Sequence, residues 1–123
     1  MATTTSNSAV PDDAEQVVQR QLDAYNDRHL ERFVATFADD VTVYRPPSTE
    51  PVFVGKAALA AHYARNRFNL PGLHADVVNR IVMGNKVVDH ERIAGVRDEP
   101  FEAAAVYEVV GGLICSVWFF DPQ

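Results

Sequence analysis

Two glycine-centred breaks constrain this chain more than any other feature. Gly84-Asn85 interrupts a β-rich stretch over residues 74–94, and Gly111-Gly112 interrupts a second that runs to residue 120. Two residues tolerant of positive φ, set between long runs of β-branched and aromatic side chains, mark tight hairpins. The second half therefore reads as a four-stranded antiparallel meander. The first half has a different period. Val18, Leu22 and Tyr25 recur at helical spacing behind Pro11, and Asp12 with Glu15 forms a candidate capping box. Leu30, Phe33, Val34 and Phe37 fall at i, i+3, i+4 and i+7, a second amphipathic helix. Asp39-Asp40 reads as the turn that ends it. A third helix follows Gly55, with Leu59, His62 and Tyr63 on one face. Residues 41–44, stopping at Pro46-Pro47, and residues 52–54 read as short strands. This order predicts an α+β fold, three N-terminal helices packed on one face of a curved mixed sheet.

A length of 123 residues fits one domain, assigned to residues 12–123. Residues 1–11 are polar and read as a disordered tail rather than a secretory or transit signal. No apolar run reaches the roughly 20 residues of a membrane span. Seventeen acidic against eleven basic residues give a net charge of −6, which excludes nucleic acid and anionic membranes as partners. These features point to a cytoplasmic protein. A single cysteine, Cys115, excludes an internal disulfide and a cysteine zinc site, and its mid-strand place reads as inert packing. His29, His62 and His74 share no metal-ligand spacing, and no glycine loop is built to cradle phosphate, so neither metal nor cofactor is expected.

The hairpins also predict which side chains share a face. Counting from Gly84-Asn85 sets Arg80 opposite Asp89, a pair suited to a wet face, with Asp76 and Glu91 on that same face. The other face takes Ile81 with Val88, Asn79 with His90, Val77 with Arg92 and Ala75 with Ala94, the expected wall of a cavity. Counting from Gly111-Gly112 puts Ala104, Val106, Glu108, Cys115, Val117 and Phe119 inside. It leaves Tyr107, Trp118 and Phe120 outside, where a second copy of the chain would cover them. A slip of one residue would exchange the faces.

The run from Ala24 to Tyr44, with Phe37-Ala-Asp-Asp40 and Val41-Thr-Val43, then Gly55, Tyr63 and Val88-Asp-His-Glu-Arg-Ile93, resembles the SnoaL-like branch of the nuclear transport factor 2-like superfamily. That superfamily includes ketosteroid isomerases, SnoaL-like polyketide cyclases and limonene epoxide hydrolases. The resemblance covers residues 14–121 and implies a cone-shaped α+β barrel enclosing a pocket, with members commonly paired through the outer face of the sheet. It does not carry over the catalytic residues of the best-known relatives. The ketosteroid isomerase base falls on Arg45, its oxyanion-hole tyrosine on Gln21 and its protonated Asp on Ala104; one supporting tyrosine matches at Tyr63. Of the epoxide hydrolase trio the Arg matches Arg92, while the two Asp positions fall on Ala94 and Phe119. Ketosteroid isomerase activity proper is thereby disfavoured.

Within the expected pocket His90 is the candidate acid/base, because imidazole titrates near neutral pH; the alternative is a structural hydrogen bond to Asn79. Arg92 would stabilise negative charge or pair with Glu108. Arg45 would sit at the mouth, and two inward arginines would favour an anionic ligand over a sterol. Tyr25 and Tyr63 would donate to a ligand oxygen. Asn79, Glu108, Phe119 and Val106 complete the expected wall. The reading is a homodimeric SnoaL-like protein that binds a small, partly apolar metabolite. It either transforms that molecule by isomerase-, cyclase- or hydrolase-type acid/base chemistry or only holds it. The sequence leaves that choice open.

Overall fold

The computed structural model describes residues 13–122, so the tail expected over residues 1–11 and any capping role of Asp12 lie outside the described residues. Three helices, α1 (Ala14–Asn26), α2 (Leu30–Val34) and α3 (Lys56–Asn66), precede most of the sheet. Its strands are β1 (Phe37–Tyr44), β2 (Pro51–Val54), β3 (His74–Met83), β4 (Lys86–Ala94), β5 (Phe101–Val110) and β6 (Leu113–Phe120). The α+β class and the two hairpins are as expected. The cap of α1 is one residue later: Asp13 accepts from the Gln16 amide at 2.9 Å, and the Gln16 side chain accepts from the Asp13 amide at 3.2 Å. Helix α2 ends before Phe37, which opens β1, so Asp39-Asp40 lies in a strand rather than a turn.

The sheet order is β2-β1-β6-β5-β4-β3, with β1 and β6 parallel and every other neighbouring pair antiparallel. Strands β2 and β3 are its edges, so the sheet of this α+β fold is open. The helices pack on its inner face. Phe33 is fully buried there, its ring 5.0 Å from Phe37, 4.7 Å from Tyr63 and 5.1 Å from Phe68. Rings at these separations make favourable tilted contacts beyond the apolar area they bury.

Two β-bulges decide which residues face this core. In the first hairpin Asn79 pairs with His90 but Val77 pairs with Glu91, leaving Val78 without a partner. In the second, Val109 pairs with Ile114 and Glu108 with Ser116, leaving Cys115 over. A bulge adds one residue to one strand, so residues beyond it face opposite to a simple count. The inner face of β4 is Val87, Asp89, Glu91 and Ile93, although its pairing from the turn to Asn79–His90 is as counted, and that of β5 is Ala103, Ala105, Tyr107 and Val109. This reverses the expected faces of both strands, while Val117 and Phe119 of β6 point inward as expected. The Arg80–Asp89 pair is internal, not wet. Asp89 is 1% exposed, and both its oxygens accept from the Arg80 guanidinium, at 2.7 and 2.9 Å. Gln19 on α1 accepts a third bond from Arg80 at 2.8 Å. A charge pair is tolerated inside when its hydrogen bonds are this complete.

Candidate functional site

Between α1, α3 and the inner sheet face lies a cavity of about 70 Å³, measured as room for the centres of water molecules. A single water needs roughly 10–15 Å³ on that measure, so the cavity holds several waters or a small organic molecule. Leu22, Val43, Phe53, Ile93, Phe101 and Phe119 give it an apolar wall. The polar groups come from separate elements. Gln21 and Tyr25 come from α1, His62 and Tyr63 from α3, Glu91 from β4 and Tyr107 from β5. Arg67 follows α3, Arg45 follows β1, and Asp121 follows β6.

Glu91 has the strongest chemical claim. Its residue is 6% exposed, and the Tyr107 hydroxyl donates to Oε2 at 3.4 Å. Burial pushes the carboxyl up from 4.5 to about 7, the negative charge of Asp89 adds to the rise, and Tyr107 and Arg80 oppose it. A carboxyl with a midpoint near neutrality gives up and takes back a proton at working pH, the requirement for general acid/base chemistry.

The three tyrosines around it stay protonated. Burial raises Tyr25 to about 12, against the opposing charge and hydrogen bond of Arg67. Burial likewise raises Tyr63 and Tyr107, and the Glu91 charge adds to the rise in all three phenols. They are available as neutral O–H donors. His62 lies against Phe53 and edge-on to Tyr63, with centroids 5.3 and 5.1 Å away. Burial lowers its pKa, and the charges of Arg67 and Arg45 lower it further, which favours the neutral ring.

Of the residues expected in the pocket, Tyr25, Tyr63, Arg45 and Phe119 line the cavity. His90, Arg92, Asn79, Val106 and Glu108 do not; the register turns them to the outer face of the sheet. His90 Nε2 lies 2.6 Å from Glu102 Oε1 instead of bonding Asn79. The expected Arg92–Glu108 pair is absent because Arg92 stands opposite Glu102 and Glu108 pairs with Lys86 at 3.2 Å. Tyr107, expected at an outer interface, is buried in the cavity wall. Trp118 and Phe120 do face outward: the Trp118 ring stacks on Tyr44 at 5.6 Å, and Phe120 is 42% exposed. The positions matched to relatives divide in the same way, with Gln21, Arg45, Tyr63 and Phe119 inside and Arg92, Ala94 and Ala104 outside.

Sequence reasoning missed Glu91 and Arg67 as site residues, and it put His62 on the same face of α3 as Leu59 and Tyr63 without giving it a role in the pocket. The alternation Val87, Asp89, Glu91, Ile93, with apolar residues at both ends, carried the signal for Glu91. Among the described residues no three His, Cys, Asp or Glu side chains are grouped to hold a metal. No helix among them is long and apolar enough to cross a membrane.

The sequence pattern of the SnoaL-like domain matches residues 18–117. The chain belongs to the SnoaL-like domain family. No functionally curated protein matches it. Among solved structures this SnoaL-like chain is similar to a provisionally assigned ketosteroid isomerase from Kribbella flavida, with 25% identity and a TM-score of 0.75 over 89% of this chain and 78% of that one. An epoxide hydrolase from M. tuberculosis, of the limonene epoxide hydrolase type, superposes with a TM-score of 0.73 at 17% identity, covering 89% of this chain and 82% of its own. A computationally designed 17-OHP binder reaches 0.77 at 15% identity, over 89% and 92%. The last two likenesses speak for the fold, which hosts unrelated activities.

Proposed function

We propose that this SnoaL-like protein binds a small, partly apolar molecule in the cavity and moves a proton on it, with Glu91 as the acid/base group. The observation that carries this is a buried carboxyl with a midpoint of about 7, hydrogen-bonded by Tyr107 in the wall of an apolar cavity. As carboxylate, Glu91 takes a proton from the bound molecule; as acid, it returns one to another atom. Tyr25 and Tyr63 supply neutral O–H donors for an oxygen on which negative charge develops. Isomerase-, cyclase- and hydrolase-type reactions all use this step, and the likeness to a protein named as a ketosteroid isomerase supports the class. The outer sheet face, with Trp118, Phe120 and Val106, is the proposed contact between two copies of the chain.

The test begins with native mass spectrometry of the protein and identification of any small molecule it retains. Turnover of that compound is then compared with turnover by Glu91→Gln. A loss of about 100-fold or more with binding retained is the expected result, since a positioned acid/base contributes that much. Unchanged turnover in the variant would exclude Glu91 as the proton carrier. Tight binding with no turnover by the unaltered protein would make it a non-catalytic binding module.

A further inference from the structure

The charges around the cavity run against those of the whole chain. The sequence carries a net charge of −6, yet the cavity is lined by two arginines, Arg45 and Arg67, against two carboxyls, Glu91 and Asp121, and His62 favours its neutral ring. Asp121 is already engaged: Arg45 Nη1 lies 3.1 Å from its Oδ2, and both side chains are partly exposed. Glu91 is buried deep enough to keep its proton up to about pH 7, so through much of the acidic range it neutralises nothing.

Arg67 is left over. Its Nη1 donates to the Asn66 carbonyl at 2.8 Å, and its charge opposes the rise of the Tyr25 phenol. Among the described residues no carboxylate forms an ion pair with it. Its charge is felt across the cavity, because both His62 and Tyr25 respond to it. A neutral ligand filling the space would strip water from this guanidinium and offer no counter-charge, which is costly. A planar carboxylate would satisfy it through two parallel hydrogen bonds.

We propose that the ligand is a small carboxylic acid with an apolar body, bound as its anion with the carboxylate on Arg67 and the body against Phe53, Phe101 and Phe119. This rests on the reading of the cavity as a ligand site. It names the substrate class: a monocarboxylate with an apolar body, not a neutral sterol.

Matched probes separate the two readings. The full chain is titrated at about pH 6, where Glu91 keeps its proton and both probe acids are ionised, with benzoate and benzamide, and with hexanoate and hexanamide, by ¹⁵N–¹H correlation spectra. Within each pair shape is held nearly constant while charge changes. The expected result is cavity binding with each carboxylate at least about tenfold tighter than its amide, the discrimination of a charge-assisted bidentate bond. Arg67→Gln should abolish that preference by weakening the carboxylates more than the amides, while Arg67→Lys, which keeps the charge but not the fork, should retain part of it. Spectra of the free variants check that the fold is kept, and Arg67→Lys decides the matter if Arg67→Gln does not fold. Amides that bind in the cavity as tightly as carboxylates would overturn the anion assignment and leave the cavity standing as a ligand site. A carboxylate preference that survives Arg67→Gln would overturn the role of Arg67. Failure of all four probes to perturb cavity residues would overturn both readings.

Discussion

Replacing Glu91 by Gln should stabilise this protein at alkaline pH and leave it unchanged at acid pH. In the unfolded chain the carboxyl has its ordinary midpoint of 4.5; in the fold, burial and the Asp89 charge move it to about 7. Below pH 4.5 both states hold the proton and the group contributes no pH dependence. Between pH 4.5 and 7 the native state binds a proton that the unfolded chain has released, so rising pH favours unfolding. Above pH 7 the native state has also lost it, and the full penalty remains. The midpoint change is about 300-fold in the protonation equilibrium, ~3 kcal/mol. Glutamine keeps the shape and can still accept the Tyr107 hydroxyl but has no proton to lose. The stability difference, variant minus unaltered protein, should grow from near zero at pH 4 to ~3 kcal/mol at pH 8. Against a total of about 5–15 kcal/mol for a domain, urea unfolding at a series of pH values resolves it. Other carboxyls titrate in both proteins and cancel in the difference. A difference flat from pH 4 to 8, or one that grows toward acid, would refute the claim that Glu91 is held as a buried acid.

Three further outcomes are expected. Arg80→Met leaves Asp89 buried without its guanidinium and should cost about 3–5 kcal/mol in urea unfolding at pH 7; the double change with Asp89→Leu should recover most of the loss, and additive losses would contradict the pairing. Tyr107→Phe removes the donor that opposes the upward movement of Glu91, so the carboxyl midpoint read by ¹³C NMR should rise further, at a stability cost of about 1 kcal/mol; a midpoint that falls would place the hydroxyl elsewhere. If two copies meet through the outer sheet face, Trp118→Glu should halve the mass measured by light scattering without unfolding the chain, whereas an unaltered protein that is already monomeric would remove that proposal.

The helices and hairpins were legible because their signals are local and periodic. Leu59 and Tyr63 fall on one face of α3, and Gly84-Asn85 and Gly111-Gly112 sit at the turns, as the spacing requires. Errors of one residue arose where the pattern was degenerate: Asp13 with Gln16 caps α1 as well as Asp12 with Glu15 would. Phe37 continues the helical period of α2 but is taken by the sheet, since the Thr36 carbonyl beside it accepts from the Ile114 amide of β6 at 2.9 Å. The site was half legible. Tyr25 and Tyr63 lie on helices whose faces the periodicity fixes. Glu91, Tyr107 and His90 lie on strands, where one extra residue exchanges inside for outside. Val78 and Cys115 look like ordinary strand residues, so their bulges had no sequence signature. The Arg80–Asp89 pair then reinforced the wrong choice, because opposite charges across a ladder suit a wet face as well as a sealed ion pair.

Those two bulge residues have a consequence for how such a cavity changes over descent. Deleting Val78 would bring Val77–Glu91 and Asn79–His90 together as successive rungs, and deleting Cys115 would do the same for Val109–Ile114 and Glu108–Ser116. No neighbouring side chain would change face. What would change is the bend and twist that a bulge imposes on its strand. Val78 is 52% exposed, and neither residue lines the cavity. A lineage can therefore widen or flatten the chamber by gaining or losing a single codon while Glu91, Tyr107 and Arg67 stay as they are, so ligand size and chemistry are free to evolve on separate residues.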